Sequence, residues 1–427
     1  MNDALKTLRE RGYVDWCSDE EGLNALFEKG QVTAYVGFDP TADSLHVGHL
    51  IPLMGLAWLQ KLGHRPILLA GGGTGMIGDP SMKSKERNLL SDEQVRRNVE
   101  GIKVQLSRLV DFDCGSASAL LVNNYDWLGK LNLIDFLRDV GKFFSVNYMI
   151  RKEHVRSRIE DPNKTLSYTE FTYTLLQAYD FWHLFKTFGC RLQMGGNDQQ
   201  GNLVSGIELI RKWDGETAYA ATNPLLLNSS GTKFGKTEGG AVWLSPEKTS
   251  PYKFYQFWMN SEDDAVEKLL KLFTFLPLEE IDQIVAEHQA NPGRRAAQRR
   301  LALEITSIIH GEEAAKAAQR ASEILFGGQV AHDELTGPML SIIASETEGG
   351  SIESLPCQLA EALVASGACA SKGEVKRLTS GGGLYLNGDR VETSDRELTE
   401  SDLLDGEHAL VRLGKKKYFT LRRPERS

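Results

Sequence analysis

Two short stretches carry side chains that could handle a phosphate. The first runs from Gly37 to Leu50, GFDPTADSLHVGHL, where His46 and His49 are separated by Val47 and Gly48. An apolar run, VTAYVGF, leads into it, and a helix-like run, LIPLMGLAWLQKLGH, leads out. A helix N-terminus offers free backbone N–H groups and a partial positive charge, which suits phosphate. A glycine there lets a ligand approach the backbone. Histidines three apart share one face of the first turn and can donate to phosphate oxygens or a ribose. A metal pair or ordinary capping histidines fit the same four residues, and the motif alone does not choose. The second stretch, GTKFGKTEGG, sets Lys233 and Lys236 in a glycine-rich loop, where point charges suit a polyphosphate. A solvated surface turn has the same composition.

These stretches need a frame. From about residue 30 to about 225 the pattern alternates between strand and helix. TAYVGF, RPILLAGGG, SALLVNNYDW and CRLQMGG read as buried strands. HLIPLMGLAWLQKL, SDEQVRRNVEGIKVQLSRLV and LIDFLRDVGKFF read as helices, the second opening on Ser91 as N-cap. The expected fold is α/β, a doubly wound parallel sheet, over residues 1–230. Residues 231–326 hold the second basic loop and then read as helical. Residues 327–353, rich in Gly and Ser with Pro338, read as a linker. Residues 354–427 read as a small α+β module, with Asn387-Gly388 as a tight-turn signal.

Composition narrows the class. At 427 residues, 41% hydrophobic and 25% charged, the chain reads as a soluble protein of two or three domains. No run of about 18 apolar residues occurs, and the N-terminus lacks the apolar centre of a secretion signal. Five scattered cysteines form no C-x-x-C pair, which points to a reduced, cytoplasmic protein and away from a structural zinc site. The net charge of −9 argues against a general nucleic-acid binder. The basic end, RLGKKKYFTLRRPERS, suggests one localised polyanion contact.

Together the two basic motifs resemble the HIGH and KMSKS signatures of class I aminoacyl-tRNA synthetases. They stand here as His46-Val47-Gly48-His49 and Lys233-Phe234-Gly235-Lys236-Thr237. In order along the chain, YVGFDPTADSLHVGH, GGGTGMIGDPS, FTYTLLQAYDF, LQMGGNDQQGN and GTKFGKTEGGAVWL closely resemble the bacterial-type tyrosyl-tRNA synthetases. The resemblance covers nearly the whole chain. It implies a Rossmann-like catalytic domain, an α-helical domain on the anticodon side, and a C-terminal S4-like RNA-binding domain.

The resemblance also assigns roles. Tyr35 and Asp180 would meet the phenol of L-tyrosine. Tyr173, Gln177 and Asp79 would take its ammonium, and Gln199 its carboxylate. Tyr173 and Gln177 are four apart and Asp180 three further on, so one helix face would carry all three. A donor–acceptor pair at the phenol would reject phenylalanine, because the buried partners would be left unpaired; tyrosyl synthetases are the standard illustration of this rule. Gly37, Asp39, Gly48, Gly196, Asp198 and Thr237 would line the ATP site. Asp198 and His49 would reach the ribose, and Gly48 would clear space for the nucleotide. Thr41 and His46 would bind the departing pyrophosphate, with Lys83, Arg87, Lys233 and Lys236 closing over it. ATP is a substrate, accompanied by Mg²⁺ without a dedicated protein metal site. Lys372, Lys376, Arg377, Arg390, Lys415, Lys416 and Lys417 would grip tRNA(Tyr), and a homodimer is implied, with no membrane contact. The chain departs from the usual GGSDQWGN at Asn197 and Gln200, which puts the detailed pocket shape in question. The alternatives are a tryptophanyl-type synthetase, a non-catalytic tRNA- or intron-binding protein, and a general nucleotidyltransferase.

Overall fold

The computed structural model describes residues 1–40, 42–79, 92–161, 163, 165–227, 234–237, 240–326, 335–414 and 417–423. Thr41, Lys83, Arg87, Ser91, Lys233, Lys415 and Lys416 lie outside these, and of Lys236 and Thr237 only the backbone is described. The chain forms two units, Met1–Thr249 with Glu262–Ala297, and Ser250–Ser261 with Gln298–Ser427.

The first unit is built on a six-stranded sheet. Its strands are β1 (Trp16–Cys17), β2 (Thr33–Phe38), β3 (Arg65–Ala70), β4 (Leu120–Asn123), β5 (Cys190–Gly196) and β6 (Tyr219–Asn223). They lie in the order β1-β6-β5-β2-β3-β4, parallel except that β1 runs antiparallel to β6. The chain therefore winds outward from β2 to β4, then returns to β5 on the other side of β2. The crevice at the carboxyl ends of β2 and β5 is the switch point where α/β sheets bind ligands. The four expected strands are all present. The weakly apolar β6, YAATN, and the two-residue β1 were not legible as strands. Expected helices appear as Leu50–Lys61, Asp92–Leu106 and the shorter Leu133–Asp139.

The helix Tyr168–Phe188 is the longest among the described residues. A capping box between Ser167 and Glu170 starts it, and Gly189 in the left-handed conformation (φ 65°) ends it. Buried Arg158 holds the same Glu170 at 2.6 Å, fixing the first turn. Phe181 and Leu184 on this helix pack with Tyr35, Ile67, Leu69, Cys190 and Ile210 in one buried cluster. Burying each large apolar side chain contributes about 1.5–3 kcal/mol, so the helix is firmly seated on the sheet.

The helical segment expected over 231–326 is divided between the two units. Helices Val266–Phe273 and Leu278–Ala290 belong with the sheet, because Arg11 and Tyr13 reach their connecting carbonyls. Tyr13 Oη donates to Leu272 at 2.6 Å, and the Arg11 guanidinium to Lys271 and Thr274 at 3.3 Å.

The second unit contains helices Pro251–Met259, Glu312–Leu325 and Gly337–Glu346, followed by a five-stranded sheet. That sheet is ordered Asp389–Arg390, Leu384–Leu386, His408–Leu413, Lys417–Arg422, Glu348–Ser351, with only the last pair parallel. Asn387 and Gly388 make the expected turn with φ 51° and 90°. The expected linker is corrected in part: residues 337–346 are helix and 348–351 a sheet strand. EGGS reads as loop, yet a Cβ on Gly350 would sit 2.6 Å from Ser366, so glycine is there for close packing.

Candidate active site

A cavity of about 310 Å³ opens at the carboxyl ends of β2 and β5. Tyr35, Gly37, Asp39, His46, His49, Asp79, Tyr173, Gln177, Asp180, Gly196, Asp198 and Gln199 all line it. Gly48 does not. Thr74 and Gln193 also line it and were not anticipated.

The deep end is built around Asp180, which is 1% exposed. Asn124 Nδ2 donates to its Oδ2 at 2.8 Å and Trp127 Nε1 to its Oδ1 at 2.7 Å. Asn124 also donates to Thr74 Oγ1 at 2.9 Å and accepts from the Gly73 N–H at 2.7 Å, so it is locked. Burial pushes the Asp180 carboxyl up to about 7; the Asn124 and Trp127 bonds pull it back, and the charge of Asp39 raises it. Tyr35 is fully buried, and its hydroxyl has no hydrogen-bond partner among the described residues. Burial, then the Asp180 charge, raises its phenol well above the usual range, so it stays protonated and can donate. Asn124 and Trp127 were missed. Their signal was a polar Asn pair at the carboxyl end of a parallel strand, where ligands gather.

Along the wall run Tyr173 and Gln177, two turns and one turn before Asp180. Gln177 Oε1 and, on β5, Gln193 Oε1 are buried with no hydrogen-bond partner among the described residues. A buried unpaired acceptor costs roughly 1–3 kcal/mol, so these atoms mark where a ligand's donors belong. Burial raises the Tyr173 phenol, and Asp39, Asp79 and Asp180 add to the effect. Three acidic side chains thus act on one hydroxyl, a field that favours an ammonium. Gln199 Nε2 donates to Asp79 Oδ2 at 2.7 Å, which joins the two sides of the mouth.

The His-x-Gly-His turn departs from expectation. Its amides are already used: Val47 N–H donates to Val242 O at 2.9 Å and Gly48 N–H to His46 Nδ1 at 3.1 Å. Phosphate-facing donors must come from the rings instead. His46 Nδ1 accepts from Gly48, and His49 Nδ1 accepts from His46 N–H at 3.2 Å. Both acceptor roles leave the proton on Nε2. The rings stack at 3.9 Å. Burial, then the neighbouring His46, lowers His49 to about 3, so it is a neutral donor. Gly48 is needed for a different reason than expected, since a Cβ there would lie 2.9 Å from His46 Cε1. The glycine makes room for the imidazole. Gly196 likewise makes room for Asp198, whose Oδ1 would lie 2.5 Å from an added Cβ.

The second motif meets the first. Residues Lys236–Thr237 pair with Gly240–Ala241 in a hairpin, and Gly235 sits against the histidine turn, where its Cβ would lie 3.3 Å from Gly48 N. Asn197 faces away from the cavity, bonded to Asp15 and Thr222. Gln200 is exposed and does not line the cavity. Neither residue lines the cavity.

In the second unit, Lys372, Lys376, Arg377, Arg390 and Lys417 are exposed. Lys372 pairs with Glu361 at 2.7 Å and Lys417 with Glu348 at 3.5 Å. Among the described residues no group of three or more His, Cys, Asp or Glu could hold a metal, and no helix is long and apolar enough to cross a membrane.

A parallel sheet, a switch-point cavity and two basic motifs in contact are the features of a class I aminoacyl-tRNA synthetase. Residues 28–327 match the family described as tRNA synthetases class I (W and Y). Residues 343–421 match the tyrosine–tRNA ligase SYY-like C-terminal domain. The chain is 50% identical over 421 residues to a tyrosine–tRNA ligase of Anaeromyxobacter dehalogenans, covering 98% of this chain and 99% of that one. It is 48% identical over 424 residues to that of Geobacillus stearothermophilus, covering 98% and 99%. The crystal structure of a C-terminally truncated Aspergillus nidulans mitochondrial tyrosyl-tRNA synthetase superposes with a TM-score of 0.69 at 33% identity, covering 76% of this chain and 95% of that one. The chain belongs to the tyrosine–tRNA ligases, within the class I aminoacyl-tRNA synthetases.

Proposed function

We propose that the cavity activates L-tyrosine with ATP for transfer to tRNA(Tyr), with the residues in the following roles. The phenol sits between Tyr35, which donates to it, and Asp180, which accepts from it. The ammonium lies among Tyr173, Gln177 and Asp79, and the carboxylate beside Gln199. ATP lies from Gly37 and Asp39 toward Gly196 and Asp198, with its phosphates at His46 and Lys236. The observation that carries this reading is the deep pair: a buried, unpartnered hydroxyl on Tyr35 beside a buried carboxylate on Asp180. An indole offers one donor and no hydroxyl, so it would leave that pair half satisfied.

The substrate carboxylate attacks the α-phosphate, the bond to pyrophosphate breaks, and tyrosyl-adenylate forms. The terminal tRNA ribose hydroxyl then attacks the acyl carbon and AMP leaves. The carboxylate is ionised at neutral pH, so no general base is needed in the first step. The protein aligns the reactants and supplies donors, the Nε2–H groups of His46 and His49, toward developing charge. Mg²⁺ enters on the ATP phosphates. Mg²⁺ prefers oxygen ligands and dehydrates reluctantly, so phosphate oxygens and waters would be its donors. The basic face at Lys372, Lys376, Arg377, Arg390 and Lys417 takes the tRNA backbone. A homodimer is supported by a run of exposed apolar residues, Leu133, Ile134, Val146 and Ile159 among them. Five free cysteines fit a reducing cytoplasm.

ATP–pyrophosphate exchange with each of the twenty amino acids tests the reading. Exchange with tyrosine alone is expected, and Lys236→Ala should abolish most of it with the fold intact. Parent-level exchange in that variant would remove Lys236 from the site.

A further inference from the structure

We propose that His183 is a positioning residue for tyrosine recognition, acting through Trp127 on Asp180. The proposal rests on the reading of Asp180 as the phenol's acceptor.

The two donors to Asp180 are not equally secure. Asn124 is fully buried and tied to Thr74 and Gly73 as well. Trp127 is only partly buried and stands on the four-residue helix Tyr125–Leu128, with its indole N–H donated to Asp180. One side of its indole packs on the cluster that contains Tyr35 and Phe181. His183 provides a further contact, its ring stacked on the indole at 4.3 Å with an interplanar angle of 18°.

The geometry follows from helix spacing. His183 is three residues after Asp180, so both leave one face of Tyr168–Phe188 and reach the same indole from adjacent turns. Asp180 takes the Nε1–H, and His183 covers the ring plane. His183 is itself steadied: its Nε2 lies 3.4 Å from Thr187 Oγ1 and its ring 6.4 Å from that of Tyr179. Burial lowers its pKa below the usual histidine value, so near neutral pH it stacks as an uncharged ring.

Removing the imidazole frees the indole to turn and lets water reach Asp180 Oδ1. The carboxylate then loses its aim at the phenol while Asn124 still holds Oδ2. Asp180 and the ATP end of the cavity are coupled by the charge of Asp39, a link that does not pass through Trp127 or His183.

The test is tyrosine-dependent ATP–pyrophosphate exchange by His183→Ala, His183→Phe and Asp180→Asn, each checked for parent-like circular dichroism. His183→Ala is expected to raise the tyrosine KM about tenfold, the scale of one hydrogen bond to a charged group. Its kcat and ATP KM should stay within about twofold, and its preference for tyrosine over phenylalanine should fall by a similar factor as the tyrosine KM rises. His183→Phe keeps a flat ring over the indole and should restore most of the loss. The proposal is overturned if His183→Ala leaves the tyrosine KM unchanged, if kcat and ATP KM move as far as the tyrosine KM, or if His183→Phe is as impaired as His183→Ala. Asp180→Asn separates the two layers. If it spares the preference for tyrosine, the phenol-site reading fails and takes this one with it. If it removes the preference while His183→Ala is silent, only the role of His183 is lost.

Discussion

Asp180 is held in two opposed ways: burial drives its carboxyl up to about 7, while two N–H donors favour the ionised form. An unfolded aspartate titrates near ~3.9, so the folded protein takes up a proton between ~4 and ~7 that the unfolded chain does not. This group's contribution to stability therefore falls as pH rises from about 4 to about 7, and stays low above that. Recognition runs the other way, because a phenol donates best to the ionised carboxylate. The tyrosine KM, measured by exchange, is expected to rise as pH is lowered from about 8 to about 6, with the ATP KM flat. A flat tyrosine KM over that range would contradict it. His49 is not the source of such a profile, since it is neutral down to about 3. Asp180 was legible in the sequence because an acid inside an apolar helix pattern demands a partner. Its partners were not legible. Asn123 and Asn124 look alike in LLVNNYDW, and only the strand's end geometry decides that Asn124 turns inward.

The long helix Tyr168–Phe188 was readable as a line of polar groups; its partner helix, Gln200–Asp214, comes from the structure. What spacing could not show is the lysine between them. Lys152 is buried, with its Nζ bonded to Thr174 and, at 2.6 Å, to Ser205 Oγ. Burial lowers it to about 7. The fold thus disfavours its proton, so this group's contribution to stability rises as pH climbs from about 7 toward ~10.4. Lys152→Met keeps the volume and removes the charge. Its thermal midpoint is expected to exceed the parent's below about pH 7, and the difference should shrink as pH approaches ~10. A constant difference across pH would assign the effect to packing. The misread histidine turn belongs at this scale too. A helix start in sequence looks rich in free amides, but tertiary partners such as Val242 had already claimed them.

At the scale of the molecule, the alternating pattern gave the sheet and its switch point, while the division into units was hidden because helices distant in sequence pack by their buried faces. The apolar residues left outside are informative: Leu133 and Ile134 are 68% and 67% exposed on neighbouring positions of one short helix. Ile134→Glu is expected to shift the particle from dimer to monomer mass in light scattering, with circular dichroism unchanged. A parent that is already monomeric would dispose of the dimer. The first seventeen residues have a wider reach than their distance from the chemistry implies. Asp15 bonds Asn197, β1 zips onto β6 through Trp16 and Thr222, and Thr222 holds Asn197 from the other side. Asn197 is the residue just before the Asp198–Gln199 pair at the cavity mouth. A proteolytic nick that strips this leading segment is therefore an active-site lesion as well. It should weaken substrate binding, read by equilibrium dialysis with tyrosine, as well as freeing the helices that Arg11 and Tyr13 hold.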